Sequence, residues 1–338
     1  MRIIESVNKN GTFNLVLEKY LLDKYEGELF MIWTANHGVY VGKNQNAVEE
    51  LDMDFVKENN FDVFRRLSGG GTIFHDEKTV YYTFITKNER TVKENFIYWN
   101  NVIVDFLNSI NIKAELSGRN DVLIEGRKIS GSAEHYKGDI LVHHGSLLFD
   151  TDIPFLAKAL TPNKKKFISK AVNSVKARVD NIQNHTDLTV EEFKSALVKY
   201  VENRFNGVKE PATLEEVEAT NTLMKDKYTT YEWNFGKSPK YSHIKEDKYP
   251  YGIVSVQLDV KQGLLADVSI TGDFFSEKDI KELEQVLIGW RHDKGAIEEI
   301  LATIELDKYI VGAKAEDLLN LMWWWNEKTD EKTRLVKN

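Results

Sequence analysis

The chain has 338 residues, in which 53 acidic side chains outnumber 45 basic ones and give a formal net charge of −8 at pH 7. This balance argues against a dedicated nucleic-acid-binding protein, which needs a dominant basic surface. The lack of cysteine excludes disulfides, thiolate zinc sites, iron–sulfur clusters and a cysteine nucleophile. The length corresponds to about two domains. We find no secretory signal and no apolar run as long as a membrane-spanning helix, so we expect a soluble, cytoplasmic protein.

The first half of the chain combines helical and alternating hydrophobic patterns, which predict a mixed α and β structure. Residues 29–34 and 38–42 are predicted to form a strand pair around a turn at Asn36-His37-Gly38. Run 80–86 is almost entirely apolar or β-branched, so we expect a buried strand there. The same patterns predict helices at 12–25, 47–59 and 92–110, and further strands at 61–66, 72–76, 121–125 and 140–149.

The second half contains two capping boxes, beginning at Thr189 and Thr213, that mark helix starts. Polar, turn-rich residues at 234–250 predict a linker. We therefore predict one domain over residues 1–246 and a smaller one over 247–338. The pattern in the smaller domain predicts a hairpin of strands 251–260 and 264–271, a helix capped by Ser276 that ends at Gly289, and a helix at 315–324.

A glycine-rich segment spans residues 65–76 and has the sequence RRLSGGGTIFHD. Three consecutive glycines let the main chain approach a ligand closely and direct several N–H groups at it. Arg65 and Arg66 supply fork-shaped donors for a carboxylate or a phosphate. A flexible hairpin loop with solvated arginines would explain the glycines alone. The arginine pair, the hydroxyl groups and the His75-Asp76 pair together favour an anion-binding site.

A second segment spans residues 118–133 with the sequence GRNDVLIEGRKISGSA and contains a tight turn at Glu125-Gly126. The turn places Asp121 and Lys128 on paired strands or beside them. A lysine among small residues is a compact positive charge with an open approach, and a nearby aspartate could hold Mg²⁺ on a phosphate. An exposed hairpin lysine is the alternative interpretation. The two segments together indicate a soluble enzyme that binds an anionic, phosphate-bearing ligand.

The histidines and the absence of several known motifs exclude some classes of binding site and enzyme. His143 and His144 lie within an apolar strand, so alternation directs one imidazole to each face. Either one of them lines a pocket or both are hydrogen-bonded core residues. No HExxH motif or fixed ligand spacing occurs, which argues against a zinc site. The P-loop, the G-x-S-x-G elbow and the G-x-G-x-x-G fingerprint are also absent from the sequence.

These two segments and four further blocks resemble the lipoate–protein ligases of the biotin/lipoate protein ligase superfamily. The blocks follow the order and spacing of that family and cover most of the chain. The resemblance implies an α+β fold with a large biotin/lipoate-ligase-like catalytic domain of mixed sheets and helices, and a small α+β C-terminal domain. The further blocks are HHGSLLFD at 143–150, SVKARVDNI at 174–182, WNFGKSPKY at 233–241 and ITGDFF at 270–275.

The resemblance also implies a two-step reaction. ATP and lipoate form lipoyl-adenylate and pyrophosphate, and a lysine amine of a carrier domain then takes the lipoyl group and releases AMP. The implied co-substrate is ATP with Mg²⁺, and the implied acid is lipoate or octanoate. The implied carriers are lipoyl domains of 2-oxoacid dehydrogenase complexes or the glycine cleavage H protein. We expect a monomer without a nucleic-acid or membrane partner.

Matched residue by residue, the resemblance makes Lys128 the catalytic residue, in contact with both the carboxyl oxygen and the phosphate. Segment 164–182 is expected to be the adenylate-binding loop, and Asp121 is the expected Mg²⁺ ligand. Contacts to ATP or the adenylate are expected from Arg66, Gly71, Thr72, Ile73, Phe74, Asn120, Asp121, Lys128, Lys170, Ser174 and Arg178. The lipoate site is expected to include Trp33, Arg66, Ser68, His75, Lys128, Ala133 and His144.

The chain departs from the family pattern at three places. Glu77-Lys78-Thr79 follows the His-Asp pair where the family continues x-Gly-Asn, Ala171 replaces a glycine, and Lys176-Ala177 replaces Arg-Ser. Loss of an arginine exchanges a bidentate donor for a point charge, so activity or substrate range could differ.

The sequence leaves three alternatives to a lipoate–protein ligase. A lipoyl or octanoyl transferase that forms an acyl-enzyme thioester would need a cysteine. A biotin ligase is disfavoured because its glycine-rich motif differs from RRLSGGG. A non-catalytic homologue would bind lipoate or a carrier domain without activating the acid.

Overall fold

The computed structural model describes all residues except 46, 52, 119, 156–177, 236–242, 262 and 324–338. The chain divides into two compact units, Met1–Ser238 and Pro239–Asn338. The larger contains mixed sheets with helices and the smaller is α+β, so the predicted fold class is confirmed. Among the described residues no helix is both long and apolar enough to cross a membrane.

An eight-stranded mixed sheet forms the centre of the first unit, in the order β11-β1-β2-β6-β10-β9-β8-β7. The central strand β6 is buried on both faces, as its apolar sequence predicts, because helices cover the sheet on each side. The strands are β1 (Arg2–Glu5), β2 (Leu29–Trp33), β6 (Thr79–Lys87), β7 (Ala114–Ser117), β8 (Asp121–Ile124), β9 (Arg127–Lys137), β10 (Ile140–Leu148) and β11 (Val208–Lys209).

Alternation along β2 and β6 divides the core of the first unit into two layers. Tyr82 and Phe84 face one layer with Trp99 of helix α4, whereas Trp33 and Tyr81 face the other layer, which helix α1 covers. Both predicted capping boxes are confirmed, since Thr189 and Thr213 cap α5 and α6. The helices of this unit are α1 (Gly11–Lys24), α2 (Ala47–Glu50), α3 (Met53–Glu58), α4 (Val92–Ser109), α5 (Val190–Phe205), α6 (Leu214–Leu223) and α7 (Tyr231–Phe235).

A second sheet of three strands carries the glycine-rich segment. Its order is β4 (Asp62–Arg65), β3 (Gly38–Val41) and β5 (Ile73–His75), with the glycines in the loop from β4 to β5. The predicted pairing of strands 29–34 and 38–42 is wrong, because β2 pairs with β6 in the large sheet and β3 pairs with β4 and β5. The helix predicted over 47–59 is two short helices, α2 and α3.

The second unit is a three-stranded antiparallel sheet packed with helices. The predicted hairpin is confirmed, but the predicted linker contains the end of α7 and all of β12. Strand β12 pairs with β13 along its whole length, so a boundary after residue 246 would cut a strand of this unit. The elements are β12 (His243–Tyr249), β13 (Gly252–Lys261), β14 (Leu264–Gly272), α8 (Ile280–Leu287), α9 (Lys294–Ala302) and α10 (Ala315–Met322).

The predicted cap of α8 is also corrected. The helix begins after Asp279, whose carboxylate accepts the N–H of Lys281 at 3.0 Å, and not after Ser276. It ends at Leu287, two residues before Gly289. Asp279 satisfies an unpaired N–H of the first turn, which is what an N-cap residue must do.

Candidate active site

Both arginines of the glycine-rich loop are buried beneath it. Arg66 Nη2 donates to the carbonyls of Gly69 and Gly71 at 2.8 Å, and Nη1 donates to the carbonyl of Tyr40 at 3.1 Å. Arg65 Nη1 donates to the carbonyl of Gly42 at 3.0 Å. Burial lowers the pKa of each guanidinium to about 10, so both stay cationic at neutral pH. Although the sequence suggested direct contacts to an anion, the donors here bind main-chain oxygens and fix the shape of the loop.

The loop packs closely against the end of β3. A Cβ atom on Gly42 would lie 1.9 Å from the carbonyl oxygen of Gly70, which has a φ of +91°. Thr72 Oγ1 donates to Gln45 at 2.8 Å. Residues 71–73 remain half-exposed, whereas the Phe74 side chain is buried in the core. A ligand can therefore reach the main chain of 71–73, but the Phe74 side chain supports the loop from inside.

Lys128 lies on β9, directly after the tight turn at Glu125-Gly126. Both turn residues have positive φ, the geometry that joins two adjacent antiparallel strands, and the pairing shifts in register between Val122 and Leu123. The Lys128 ammonium group is 2.7 Å from Asp121 Oδ1 on β8, and both side chains are more than one-third exposed. The lysine side chain passes over Gly131, where a Cβ atom would lie 3.1 Å from Nζ. The sequence prediction that paired strands carry Asp121 and Lys128 is confirmed.

Two other predicted residues flank this lysine. Asn120 Nδ2 donates to the carbonyl of Ser132 at 2.8 Å, which fixes its amide beside β9. On the other side, Lys128 N donates to the carbonyl of Arg178 at 2.8 Å, and Asp180 N donates to the carbonyl of Lys128 at 2.9 Å. The structure thus brings Arg178 to Lys128. Lys170 and Ser174, together with the departures at Ala171 and Lys176-Ala177, lie outside the described residues.

Ser68 connects the glycine-rich loop to the large sheet. Its Oγ atom is 2.6 Å from Nε2 of His144 on β10. His144 lies opposite Ala133 of β9, two residues along the strand from Gly131. The predicted residues Ser68, Ala133 and His144 therefore lie together, close to the strand position that Lys128 covers.

Sequence reasoning missed Glu18 of α1. Its carboxylate oxygens lie 2.9 Å and 3.0 Å from His144 Nδ1, and the side chain is buried. The available signal was its position, because a glutamate that shares a helix face with Leu15 and Leu22 needs a buried partner.

Trp33 and His75 belong to an aromatic cluster beside the loop. Trp33 stacks on Tyr81 with ring centroids 4.3 Å apart, and His75 stacks on Tyr40 at 3.9 Å. Burial lowers the pKa of His75 to about 3, so the imidazole is neutral at physiological pH. Within the described ranges, Trp33 Nε1 and the Tyr40 and Tyr81 hydroxyls have no hydrogen-bond partner. Such a wall of apolar rings with a few polar tips is typical of small-molecule sites.

The first departure from the family pattern forms a closed turn. Asp76 Oδ1 accepts the N–H of Lys78 and the hydroxyl proton of Thr79, both at 3.0 Å. The Lys78 ammonium group binds Asp150. Glu77-Lys78-Thr79 therefore positions the chain after β5 without the asparagine of the family pattern.

Asp121 supplies only part of what a Mg²⁺ site requires. Its carboxylate is a hard oxygen ligand, but no group of three potential ligands surrounds one point within the described part of the chain. Mg²⁺ sites on nucleotides use one or two carboxylates with phosphate oxygens and water. Asp121 fits such a site only if the nucleotide supplies further ligands.

Two family models match this chain. The lipoyl protein ligase A/B catalytic domain matches residues 10–202, and the bacterial lipoate protein ligase C-terminus matches residues 238–322. The lipoate-protein ligase LplJ of Bacillus subtilis is 34% identical over 331 residues, covering 96% of this chain and 100% of that protein. Lipoate–protein ligase 1 of Staphylococcus aureus is 36% identical over 327 residues, covering 95% and 100%.

Solved structures show the same fold. The P. falciparum protein LipL1 in complex with lipoate is 25% identical, with a TM-score of 0.75 over 94% of this chain and 96% of that one. A lipoate-protein ligase A bound with ATP is 23% identical, with a TM-score of 0.62 over 70% of this chain and 98% of that one. Two successive family matches and relatives above 30% identity over nearly the whole length show that this chain belongs to the lipoate–protein ligase family.

Proposed function

We propose that this protein is an ATP-dependent lipoate–protein ligase in which Lys128 is the catalytic residue. The observation that carries the proposal is the placement of Lys128 relative to the glycine-rich loop. Lys128 covers Gly131, Ala133 follows two residues along the same strand, and His144 beside Ala133 binds Ser68 of the loop. A cation and an anion-binding loop thus face one short stretch of sheet.

In the first step, a carboxylate oxygen of lipoate attacks the α-phosphorus of ATP, and pyrophosphate leaves. Negative charge accumulates on the phosphoryl oxygens, where a positioned cation stabilises the transition state more than the ground state. Lys128 is suited to this because its ammonium group is accessible, and Asp121 already fixes its direction. In the second step, the carrier amine attacks the carbonyl carbon and AMP leaves, so Lys128 stabilises the developing oxyanion.

The other predicted residues receive roles around this centre. We assign contacts to the nucleotide to the main chain of 71–73 and the Phe74 segment, to Asn120 and to Arg178. We assign the same role to Lys170 and Ser174, which precede Arg178 in the sequence. We assign Asp121 to Mg²⁺ held together with the phosphates. Arg66 acts by shaping the loop and by its positive charge. Trp33, Ser68, His75, Ala133 and His144 surround the acid.

The proposed partners are lipoate or octanoate and a carrier domain with an exposed lysine. Lipoyl domains of 2-oxoacid dehydrogenase complexes and the glycine cleavage H protein are the proposed carriers, and the cytoplasm, where ATP is supplied, is the proposed compartment. Relatives named as lipoate–protein ligases over nearly the full chain support lipoate and a protein acceptor as the two substrates.

Lipoate-dependent exchange of labelled pyrophosphate into ATP tests the proposal. We expect exchange only when lipoate, ATP and Mg²⁺ are all present, followed by a mass gain of one lipoyl group on an added carrier domain. Lipoate binding without exchange would identify a non-catalytic binder. Lipoyl or octanoyl transfer from an acylated carrier without ATP would identify a transferase. Either result would overturn the proposal.

A further inference from the structure

A buried chain of hydrogen bonds runs from the glycine-rich loop to helix α1. Arg66 Nε donates to Ser68 Oγ at 3.2 Å, Ser68 Oγ lies 2.6 Å from His144 Nε2, and Glu18 binds His144 Nδ1. All four residues are less than one-tenth exposed. The chain joins three elements that are distant in sequence: α1, β10 and the loop.

The direction of each bond follows from Glu18. Its carboxylate accepts the hydroxyl proton of Thr83 at 2.7 Å and has only acceptor atoms to offer the imidazole. Nδ1 of His144 therefore carries a proton, and in the neutral imidazole Nε2 accepts the proton of Ser68. Ser68 Oγ is then left as the acceptor for Arg66 Nε. A single carboxylate thus fixes one imidazole tautomer and one hydroxyl rotamer.

Charge gives Glu18 a second effect on the loop. Burial lowers the pKa of Arg66, and the nearby carboxylate of Glu18 opposes that fall. Arg66 holds the carbonyls of Gly69 and Gly71, so the anion on α1 supports the cation that shapes the loop. A buried cation without a nearby anion would be costly.

We propose that Glu18 is a positioning residue for acid activation, acting through the Glu18–His144–Ser68–Arg66 chain on the glycine-rich loop. The proposal rests on the function of that loop proposed above. The order of groups resembles a serine–histidine–acid triad, but Ser68 is 1% exposed and its oxygen accepts the Arg66 N–H. We therefore assign Ser68 to orientation, not to nucleophilic attack.

The neighbouring residue supplies a matched control. His143 Nδ1 lies 2.9 Å from Glu134 Oε1, and both side chains are buried. This pair faces α4 on the opposite side of β10, where His143 packs near Phe96 and Trp99. Glu18→Gln and Glu134→Gln thus each remove one carboxylate that binds a buried histidine, on opposite faces of β10.

The experiment compares both variants in full-length protein. We expect both to lower the melting temperature, but only Glu18→Gln to reduce kcat for lipoate-dependent pyrophosphate exchange, by tenfold or more. Nitrogen-15 NMR of labelled histidine, with His144→Gln for assignment, should show protonated Nδ1 at His144 in the wild type. In Glu18→Gln the proton should move to Nε2, because the amide can donate to Nδ1. This tautomer readout is independent of ligase activity.

Three results would overturn the proposal. The first is an unchanged tautomer in Glu18→Gln, and the second is an equal loss of kcat in both variants. The third is labelling of Ser68 by a fluorophosphonate, which would make Ser68 a nucleophile. If the wild type shows the expected tautomer but no pyrophosphate exchange, the proposed ligase function fails while the hydrogen-bond chain stands.

Discussion

The ammonium group of Lys128 lies 2.7 Å from Oδ1 of Asp121, across two strands that a tight turn joins. This partly exposed pair is worth little to stability, since such ion pairs contribute about 0–1 kcal/mol. Its effect is to hold the ammonium group above Gly131 before substrates bind. If Asp121 were to hold Mg²⁺ on the phosphates, as we propose, the Lys128 ammonium group would be free to contact the carboxyl and phosphate oxygens.

Lys128→Ala should abolish adenylate formation and leave the fold intact. Removing one positioned charge from a developing anion costs ~3 kcal/mol, or ~10²-fold in rate. Pyrophosphate release gives the rate, and thermal unfolding confirms the fold. Lys209→Ala is the control, because Lys209 forms a comparable pair with Glu5 at 2.9 Å elsewhere in the same unit. Near-normal pyrophosphate release by folded Lys128→Ala would remove Lys128 from the mechanism.

Gly42→Ala should weaken both the loop and the binding of substrates. The new Cβ would lie 1.9 Å from the Gly70 oxygen, so one of the two segments must move. Overpacking of this kind costs ~1–3 kcal/mol. We expect a lower melting temperature and raised KM values for ATP and lipoate.

Gly295→Ala provides the contrast. Gly295 lies in the first turn of α9, and apart from its chain neighbours and the helix backbone the nearest atom to a new Cβ, Asp293 Oδ1, is 3.6 Å away. Alanine is the better helix former by ~1 kcal/mol, so this variant should be as stable as the wild type or more so. Similar behaviour of both variants would show that the close approach at Gly42 is unimportant.

The protein should become less stable in acid, partly because of His75. Burial lowers its pKa to about 3 in the folded protein, whereas the unfolded chain titrates near ~6.5. Between these pH values the unfolded state binds one more proton at this residue. The free energy of unfolding therefore decreases as the pH falls, by up to ~1.4 kcal/mol per pH unit, and is unaffected by His75 above pH ~6.5.

Denaturant unfolding of His75→Gln between pH 4 and pH 8 measures this contribution. Burial also lowers the pKa values of His135 and His143, so some acid dependence should remain. The variant should take up about one proton fewer on unfolding near pH 5 than the wild type. Identical proton uptake would show that His75 is protonated in the folded state or solvated.

Octanoate should be accepted in place of lipoate, and shorter acids progressively less. Each buried methylene contributes ~0.8 kcal/mol, so hexanoate should lose ~1.6 kcal/mol, or about 15-fold in kcat/KM, relative to octanoate. The aromatic wall around Trp33 and Tyr81 is the expected apolar surface. A series of acids in the pyrophosphate exchange assay measures the slope. Complete rejection of saturating octanoate would contradict binding by chain burial.

Local patterns predicted those elements whose partners are adjacent or whose burial is uniform. The apolar run of β6, the capping boxes and the β13–β14 hairpin each contain their own signal. The pairing of β2 with β6 has no such local signal, because β6 lies some fifty residues later and no local pattern encodes that distance. Strand β12 resembled a linker for a different reason: its partner β13 follows directly, but its sequence HIKEDKY is mostly polar.

The residues of the site likewise divide into those that a local sequence pattern predicts and those that depend on distant partners. The tight turn predicted that Asp121 and Lys128 share paired strands, since both residues follow from one local geometry. The use of the Arg66 donors could not be predicted, because their acceptors are carbonyls that only the folded loop presents. Glu18 escaped notice because its partner His144 is 126 positions away.

The hydrogen bonds around Asn181 have a consequence for engineering. Asn181 binds the main chain of Thr151 in both directions, at 3.1 Å and 3.0 Å, and Gln183 N donates to the carbonyl of Phe149. The chain therefore leaves the sheet after Thr151 and returns to the same point at Asn181. Because Asn181 itself holds these two points together, residues inserted between them should cost little stability, since doubling a loop's length costs only ~0.6 kcal/mol.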